Sequence, residues 1–163
     1  MKQHNYELQV AWTGNTGEGT KTYRSYSRNY TITAAGKPEI LGSSDPSFRG
    51  DPSRYNPEDL LVASLSACHM LSYLHLCAVN HITVLDYRDA ALGLMEENSV
   101  GSAQFTHVTL RPTVTIAPDD DSDKAQALHA QAHHSCFIAR SVNFPVDVAP
   151  TIKTNAPVSP SSV

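Results

Sequence analysis

Cys68 and Cys136 sit in sequence settings that can support thiol redox chemistry. Cys68 lies in Asn56-Pro57-Glu58-Asp59-Leu60-Leu61-Val62-Ala63-Ser64-Leu65-Ser66-Ala67-Cys68-His69, a strongly helical and apolar segment. Cys136 lies in His133-His134-Ser135-Cys136-Phe137-Ile138-Ala139-Arg140-Ser141, directly after a second helical segment. Two thiols on separate ordered elements can meet and cycle between dithiol and disulfide. A thiol attacks as its thiolate, so the charge needs a stabiliser. The dipole of a helix acts mainly within its first turn, and Cys68 lies twelve residues past a proposed cap at Asn56. An apolar surround alone would raise the Cys68 pKa. A reactive Cys68 therefore requires a cation, with Arg28, Arg49 and Arg54 as candidates and His69 close in sequence. Arginine is the better choice, being always charged and offering a rigid fork of donors. The same fork can bind a peroxide oxygen as charge develops on it.

Glu58 is the carboxylate available to orient such an arginine. It lies ten residues before Cys68, about 15 Å along a straight helix. One arginine touching both must bridge that gap, or the helix must start after Glu58, or one group must come from a partner subunit. Cys136 needs less activation, because it would attack a sulfenic acid already formed on Cys68. Their disulfide requires α-carbons within about 7 Å. Cys77 lies nine residues past Cys68, about 13 Å by helical rise, and reads as a packing residue.

Blander readings compete at each position. Either cysteine alone is compatible with core packing. Helix-start chemistry explains Asn56 to Asp59 without catalysis, and the arginines can be solvated loop residues. A zinc reading gathers His129, His133, His134 and Cys136 with Cys68 and His69, but the spacing matches no strong metal motif. A further alternative is a non-enzymatic dimer that binds a small apolar ligand.

The elements that must position these residues are legible in outline. Tyr6, Leu8, Val10 and Trp12 alternate as in a half-buried strand, and residues 6–34 read as strands with a turn at Thr13 to Gly17. Residues 42–56 form a long loop containing Arg49 and Arg54. Asn56 as N-cap, Pro57 at N1 and Glu58 and Asp59 in the first turn predict a helix running to about Ala78, apolar on most sides. Residues 82–95 and 103–117 are strand regions, with Pro112 marking an edge or bulge. A second helix is expected over 123–134, then a short strand between Ser141 and Val148. This order predicts an α+β fold with antiparallel sheet. One domain is expected over 1–150, with a disordered tail over 151–163 rich in Pro and Ser.

Whole-chain properties narrow the function classes. A length of 163 residues suits one domain that needs no metal or disulfide to hold together. The net charge of -4, without a basic run, argues against nucleic acid as a partner. The first residues lack a signal-peptide pattern, and no run of about 18 apolar residues suggests a membrane span. Three cysteines do not form a secreted disulfide framework, so reducing cytoplasm is the expected compartment.

From Trp12 to Val148 the chain resembles the OsmC/Ohr superfamily of thiol-dependent peroxidases. Asn56-Pro57-Glu58-Asp59-Leu60-Leu61 leading into Ala67-Cys68, and the second cysteine with Phe137 to Ser141, carry the resemblance. Trp12-Thr13-Gly14, Ser47-Phe48-Arg49-Gly50-Asp51 and Cys68-His69-Met70 are similar to one OsmC-like subgroup. The resemblance implies an intertwined homodimer, with antiparallel sheets wrapped around long central helices and the sites at the subunit interface. It implies Cys68 as the peroxidatic and Cys136 as the resolving cysteine, with Glu58 as partner of a catalytic arginine. One branch would supply that arginine near Arg49, the other near Arg28. It also implies organic hydroperoxides as substrates, small dithiols or lipoylated proteins as reductants, and no cofactor. Phe137 stands where the organic-hydroperoxide branch has proline, and His69 where an aromatic often follows the first cysteine.

Overall fold

Helix α1 (Pro57–Val79) begins where its cap chemistry places it. Asn56 Oδ1 accepts from the Asp59 N–H at 2.7 Å, and Asp59 Oδ2 accepts from the Asn56 N–H at 3.2 Å. This reciprocal box satisfies two donors at the helix start, with Asp in the place more often held by Glu. Glu58 lies in the first turn of the unbroken helix, so the option of a helix starting after Glu58 falls away. By length and composition alone α1 could cross a membrane, a test that core helices of soluble proteins also pass.

The structure is a computed structural model describing residues 2–154, and it forms two compact units, Met1–Leu61 and Val62–Val163. In the first unit β1 (Gln9–Trp12), β2 (Tyr30–Thr33) and β3 (Ile40–Gly42) make an antiparallel sheet in the order β1-β2-β3. Tyr6, Leu8, Val10 and Trp12 are all exposed, not half-buried as their alternation predicts. Alternation shows that a strand has an apolar side but not what covers it. Gly14 is forced by crowding: a Cβ there would lie 1.9 Å from the Ser27 carbonyl oxygen, which accepts from the Trp12 indole N–H at 2.9 Å.

The segment 42–56 is tightly built. Asp45 caps a 3-10 turn (Pro46–Phe48) by accepting from the Ser47 N–H at 2.7 Å. Buried Ser43 accepts from the Asp51 N–H at 3.0 Å. Arg49 ends the turn with φ of 65°, the left-handed region.

The second unit holds the body of α1, β4 (Val84–Asp89), β5 (Leu92–Glu97), β6 (Ala103–Leu110), β7 (Pro112–Ile116), α2 (Ser122–Ser135), β8 (Val146–Val148) and β9 (Thr151–Thr154). Two three-stranded sheets result, in the orders β4-β7-β9 and β5-β6-β8. The chain passes between them at Ala90–Ala91, Arg111 and Ala149–Pro150, so each sheet continues the other across a crease. Asp89 spans the crease, accepting from the Arg111 N–H and, at 2.6 Å, from the Ser66 hydroxyl of α1.

Two expectations need correction here. The sheets are not wholly antiparallel: β6–β8 and β7–β9 pair parallel, because β8 and β9 return after the α2 crossover. The expected disordered tail over 151–163 begins with a strand, since Thr151–Thr154 pairs with β7. The rest of that tail lies outside the described residues. Pro112 is buried and opens β7, the central strand of its sheet, where a missing N–H at the first residue is tolerated.

Two apolar clusters fill this unit. Tyr73, Cys77, Ile82, Val114, Ile116, Ala125, Leu128 and Ala132 form one, joining α1 and α2 to the first sheet. Leu65, Val108, Leu110 and Val146 form the other.

Candidate active site

Leu65, His69, Tyr73 and Cys77 are the buried residues of α1, spaced at i, i+4, i+8 and i+12. One narrow stripe therefore faces the interior of the unit, while Leu71 is 63% exposed and Val79 56%. Cys68 borders that stripe and is half-buried. Helix α2 starts with Asp121, whose side chain accepts from the Lys124 N–H at 2.9 Å. It buries Ala125, Leu128, His129 and Ala132 and ends at Cys136, which has extended backbone angles.

This packing brings Cys136 to Cys68. Cys136 is 1% exposed, and burial pushes its thiol up to about 11, with the adjacent Cys68 thiol adding to the effect. The Ala139 N–H, which donates to Cys136 Sγ at 3.4 Å, pulls the other way. Cys136 is therefore a protonated thiol at neutral pH, held against its neighbour. Cys77 is buried, and burial raises its pKa as well, as fits a packing residue.

The other expected site residues belong to the first unit. Arg28 donates to the Tyr26 carbonyl at 2.8 Å and the Tyr23 carbonyl at 2.7 Å. Its guanidinium lies 4.3 Å from the Tyr23 ring centroid and 4.1 Å from that of Tyr26. The Arg49 guanidinium lies 5.8 Å from the Tyr23 ring, so the two arginines flank one aromatic. Arg54 pairs with Asp51 at 3.4 Å. Glu58 Oε2 is buried without a hydrogen-bond partner among the described residues. The Tyr30 hydroxyl is pushed up first by burial, then by Glu58 and Asp59.

His69 and His129, grouped in the sequence only as zinc candidates, instead meet each other directly. His69 Nε2 and His129 Nδ1 are 3.0 Å apart, and the two residues are 0% and 2% exposed. His129 also stacks on Tyr73, with ring centroids 3.7 Å apart and an interplanar angle of 10°. Burial drives both imidazoles down, His69 to about 4 and His129 to about 3. His133 lowers His69 further and Asp89 opposes the shift. Both rings are thus neutral near pH 7. The available signal was a histidine at i+4 within the stripe Leu65, His69, Tyr73. As for the zinc reading, His69 Nε2 and His129 Nδ1 are engaged with each other. No group of three His, Cys, Asp or Glu side chains among the described residues is placed to hold a metal.

A family model described as OsmC-like protein matches residues 50–151. An OsmC-like protein of unknown function from Vibrio cholerae O1 is 32% identical, with a TM-score of 0.79 over 93% of this chain and 100% of that one. The chain belongs to the OsmC-like protein family. A similar fold is found in an organic hydroperoxide resistance protein from Elizabethkingia anophelis. That protein is 20% identical, with a TM-score of 0.65 over 94% of this chain and 100% of that one. The organic hydroperoxide resistance protein OhrB of Bacillus subtilis is 24% identical, with a TM-score of 0.58 over 91% and 98%. These two likenesses carry the fold alone. No curated protein matches the chain.

Proposed function

We propose that this OsmC-like protein is a two-cysteine reductase of organic hydroperoxides. The observation that carries the reading is the contact between the Cys68 and Cys136 thiols, made by two helices whose own packing explains it. The Cys68 thiolate attacks the outer peroxide oxygen, the O–O bond breaks, and the alcohol leaves after taking a proton. Cys68 is then a sulfenic acid. The Cys136 sulfur attacks it, water leaves, and a disulfide forms. A dithiol or a lipoylated protein restores both thiols by exchange. Arg28 or Arg49 supplies the cation, from the same chain or its partner, and Glu58 orients it.

The unpartnered Glu58 carboxylate oxygen fits that role, because a buried carboxylate without a donor is costly. An intertwined homodimer is part of the reading. The exposed Tyr6, Leu8, Val10, Trp12 and Leu71 are surfaces that a second copy would cover. A reducing cytoplasm is part of the reading, since three cysteines do not make the framework of a small secreted protein. Two proteins of similar fold are named for organic hydroperoxide resistance, which favours this substrate class.

The test is consumption of cumene hydroperoxide by reduced protein with a dithiol. Turnover well above that of Cys68→Ser supports the reading. Turnover no faster than Cys68→Ser sinks it and leaves the non-enzymatic ligand-binding dimer.

A further inference from the structure

We propose that the buried His69–His129 pair is a positioning device that fixes α1 against α2 so that Cys136 stays on Cys68. The proposal deepens the two-cysteine reading above and rests on it. Along the two helices three contacts succeed one another: Tyr73 hydroxyl to the Ala125 carbonyl at 3.1 Å, His69 to His129 at 3.0 Å, and Cys68 to Cys136. The sequence numbers fall on α2 as they rise on α1, so the helices run antiparallel at this seam. His69 is the immediate neighbour of Cys68. After the contact of the thiols themselves, the imidazole pair is therefore the next of these contacts between α1 and α2.

Apolar packing cannot do this work alone. Burial of apolar surface is non-directional, and the buried Leu65, Leu128 and Ala132 name no donor or acceptor atom that fixes a register. A hydrogen bond between ring nitrogens tolerates far less, and it weakens steeply once misaligned. The pairing also uses specified atoms. One ring donates an N–H and the other accepts, through Nε2 of His69 and Nδ1 of His129. The outer nitrogens, His69 Nδ1 and His129 Nε2, have no hydrogen-bond partner among the described residues. All the polar bonding of the pair is thus invested in the contact between α1 and α2. Stacking of His129 on Tyr73 holds the ring plane in place.

The atom assignment gives a test that simple packing would not pass. A glutamine amide reaches the place of an imidazole Nε2, and an asparagine amide the place of Nδ1. His69→Gln and His129→Asn keep a polar group at the paired position. His69→Asn and His129→Gln move it to the unpaired one, with the same chemistry and similar polarity. Each folded variant, checked by circular dichroism, is equilibrated at pH 7 with glutathione and its disulfide. The exchange of protein dithiol plus glutathione disulfide for protein disulfide plus two glutathiones reports the effective concentration of the Cys68–Cys136 pair.

The expected result is a crossed pattern. His69→Gln and His129→Asn stay within about threefold of wild type, and the swapped pair falls about tenfold, the scale of one buried hydrogen bond. Four equal values, high or low, overturn the positioning role while leaving the thiol reading intact. Absence of any Cys68–Cys136 disulfide in wild type sinks both, and the peroxide assay separates that case. If a swapped variant does not fold, the remaining kept and swapped variants are compared with wild type, and equality overturns the proposal.

Discussion

Acid should weaken this fold through two histidines before its carboxylates matter. His69 and His129 have folded-state values near 4 and 3, against about 6.5 in an unfolded chain. A group with a depressed folded value binds its proton more readily when unfolded, so stability is complete above about pH 6.5 and falls as pH drops. Each histidine contributes a slope of up to about 1.4 kcal/mol per pH unit in that window. At pH 4.5 the two together cost about 5 kcal/mol, comparable to the whole stability of a marginal domain. The groups facing the pair are Tyr73 on α1, His133 on α2 and Asp89 at the end of β4. Asp89 softens the effect and His133 adds to it.

The carboxylates of Asp45 and Asp51, lowered by hydrogen bonds from Ser47 and Ser53, lose their contribution only at lower pH. The interval from pH 6.5 to 4.5 therefore isolates the imidazoles. The assay is urea unfolding followed by far-ultraviolet circular dichroism across that interval. His129→Asn, which removes one titrating group, should show about half the slope. A wild-type midpoint that is flat from pH 6.5 to 4.5 would refute the reasoning.

Three further outcomes are expected. Cys136→Ser should trap a sulfenic acid on Cys68 after stoichiometric peroxide, detectable by dimedone labelling and mass spectrometry, whereas wild type gives the intramolecular disulfide. Asn56→Ala removes the 2.7 Å bond to the Asp59 N–H and should lower stability by about 1 kcal/mol, read as a shift in urea midpoint with peroxide turnover retained. Of Arg28→Ala and Arg49→Ala, one should slow iodoacetamide alkylation of Cys68 at pH 7. Arg28→Ala should also lower the melting temperature, since it strands the Tyr23 and Tyr26 carbonyls, which thiol-alkylation rates and thermal melts distinguish.

The helices were legible because their signals are local. Asn56, Pro57 and Asp59 specify the start of α1, and Asp121 the start of α2, whatever the rest of the chain does. The expected end near Ala78 and the expected span 123–134 differ from the structure by one residue at each bound. Strand β9 was not legible, because Thr151 to Thr154 is held by pairing with distant β7 and sits beside a Pro- and Ser-rich stretch. The parallel pairings were hidden for the same reason. Within the site, the helical settings of Cys68 and Cys136 left their meeting open, and only the family resemblance paired them. The imidazole hydrogen bond was not legible, because α1 reads as apolar on most sides, and only packing shows which side faces inward.

The two thiols also differ in what surrounds their backbones. Cys68 has helix on both sides, locked by i to i+4 bonds and seated beside Leu65 and His69. Cys136 is the first residue beyond α2, followed by exposed Phe137 and Ile138 and a short 3-10 turn (Ala139–Ser141). If the two sulfurs bond as proposed, the backbone that can follow is that exit segment rather than the middle of α1. Cys68 would then be the fixed anvil and Cys136 the latch.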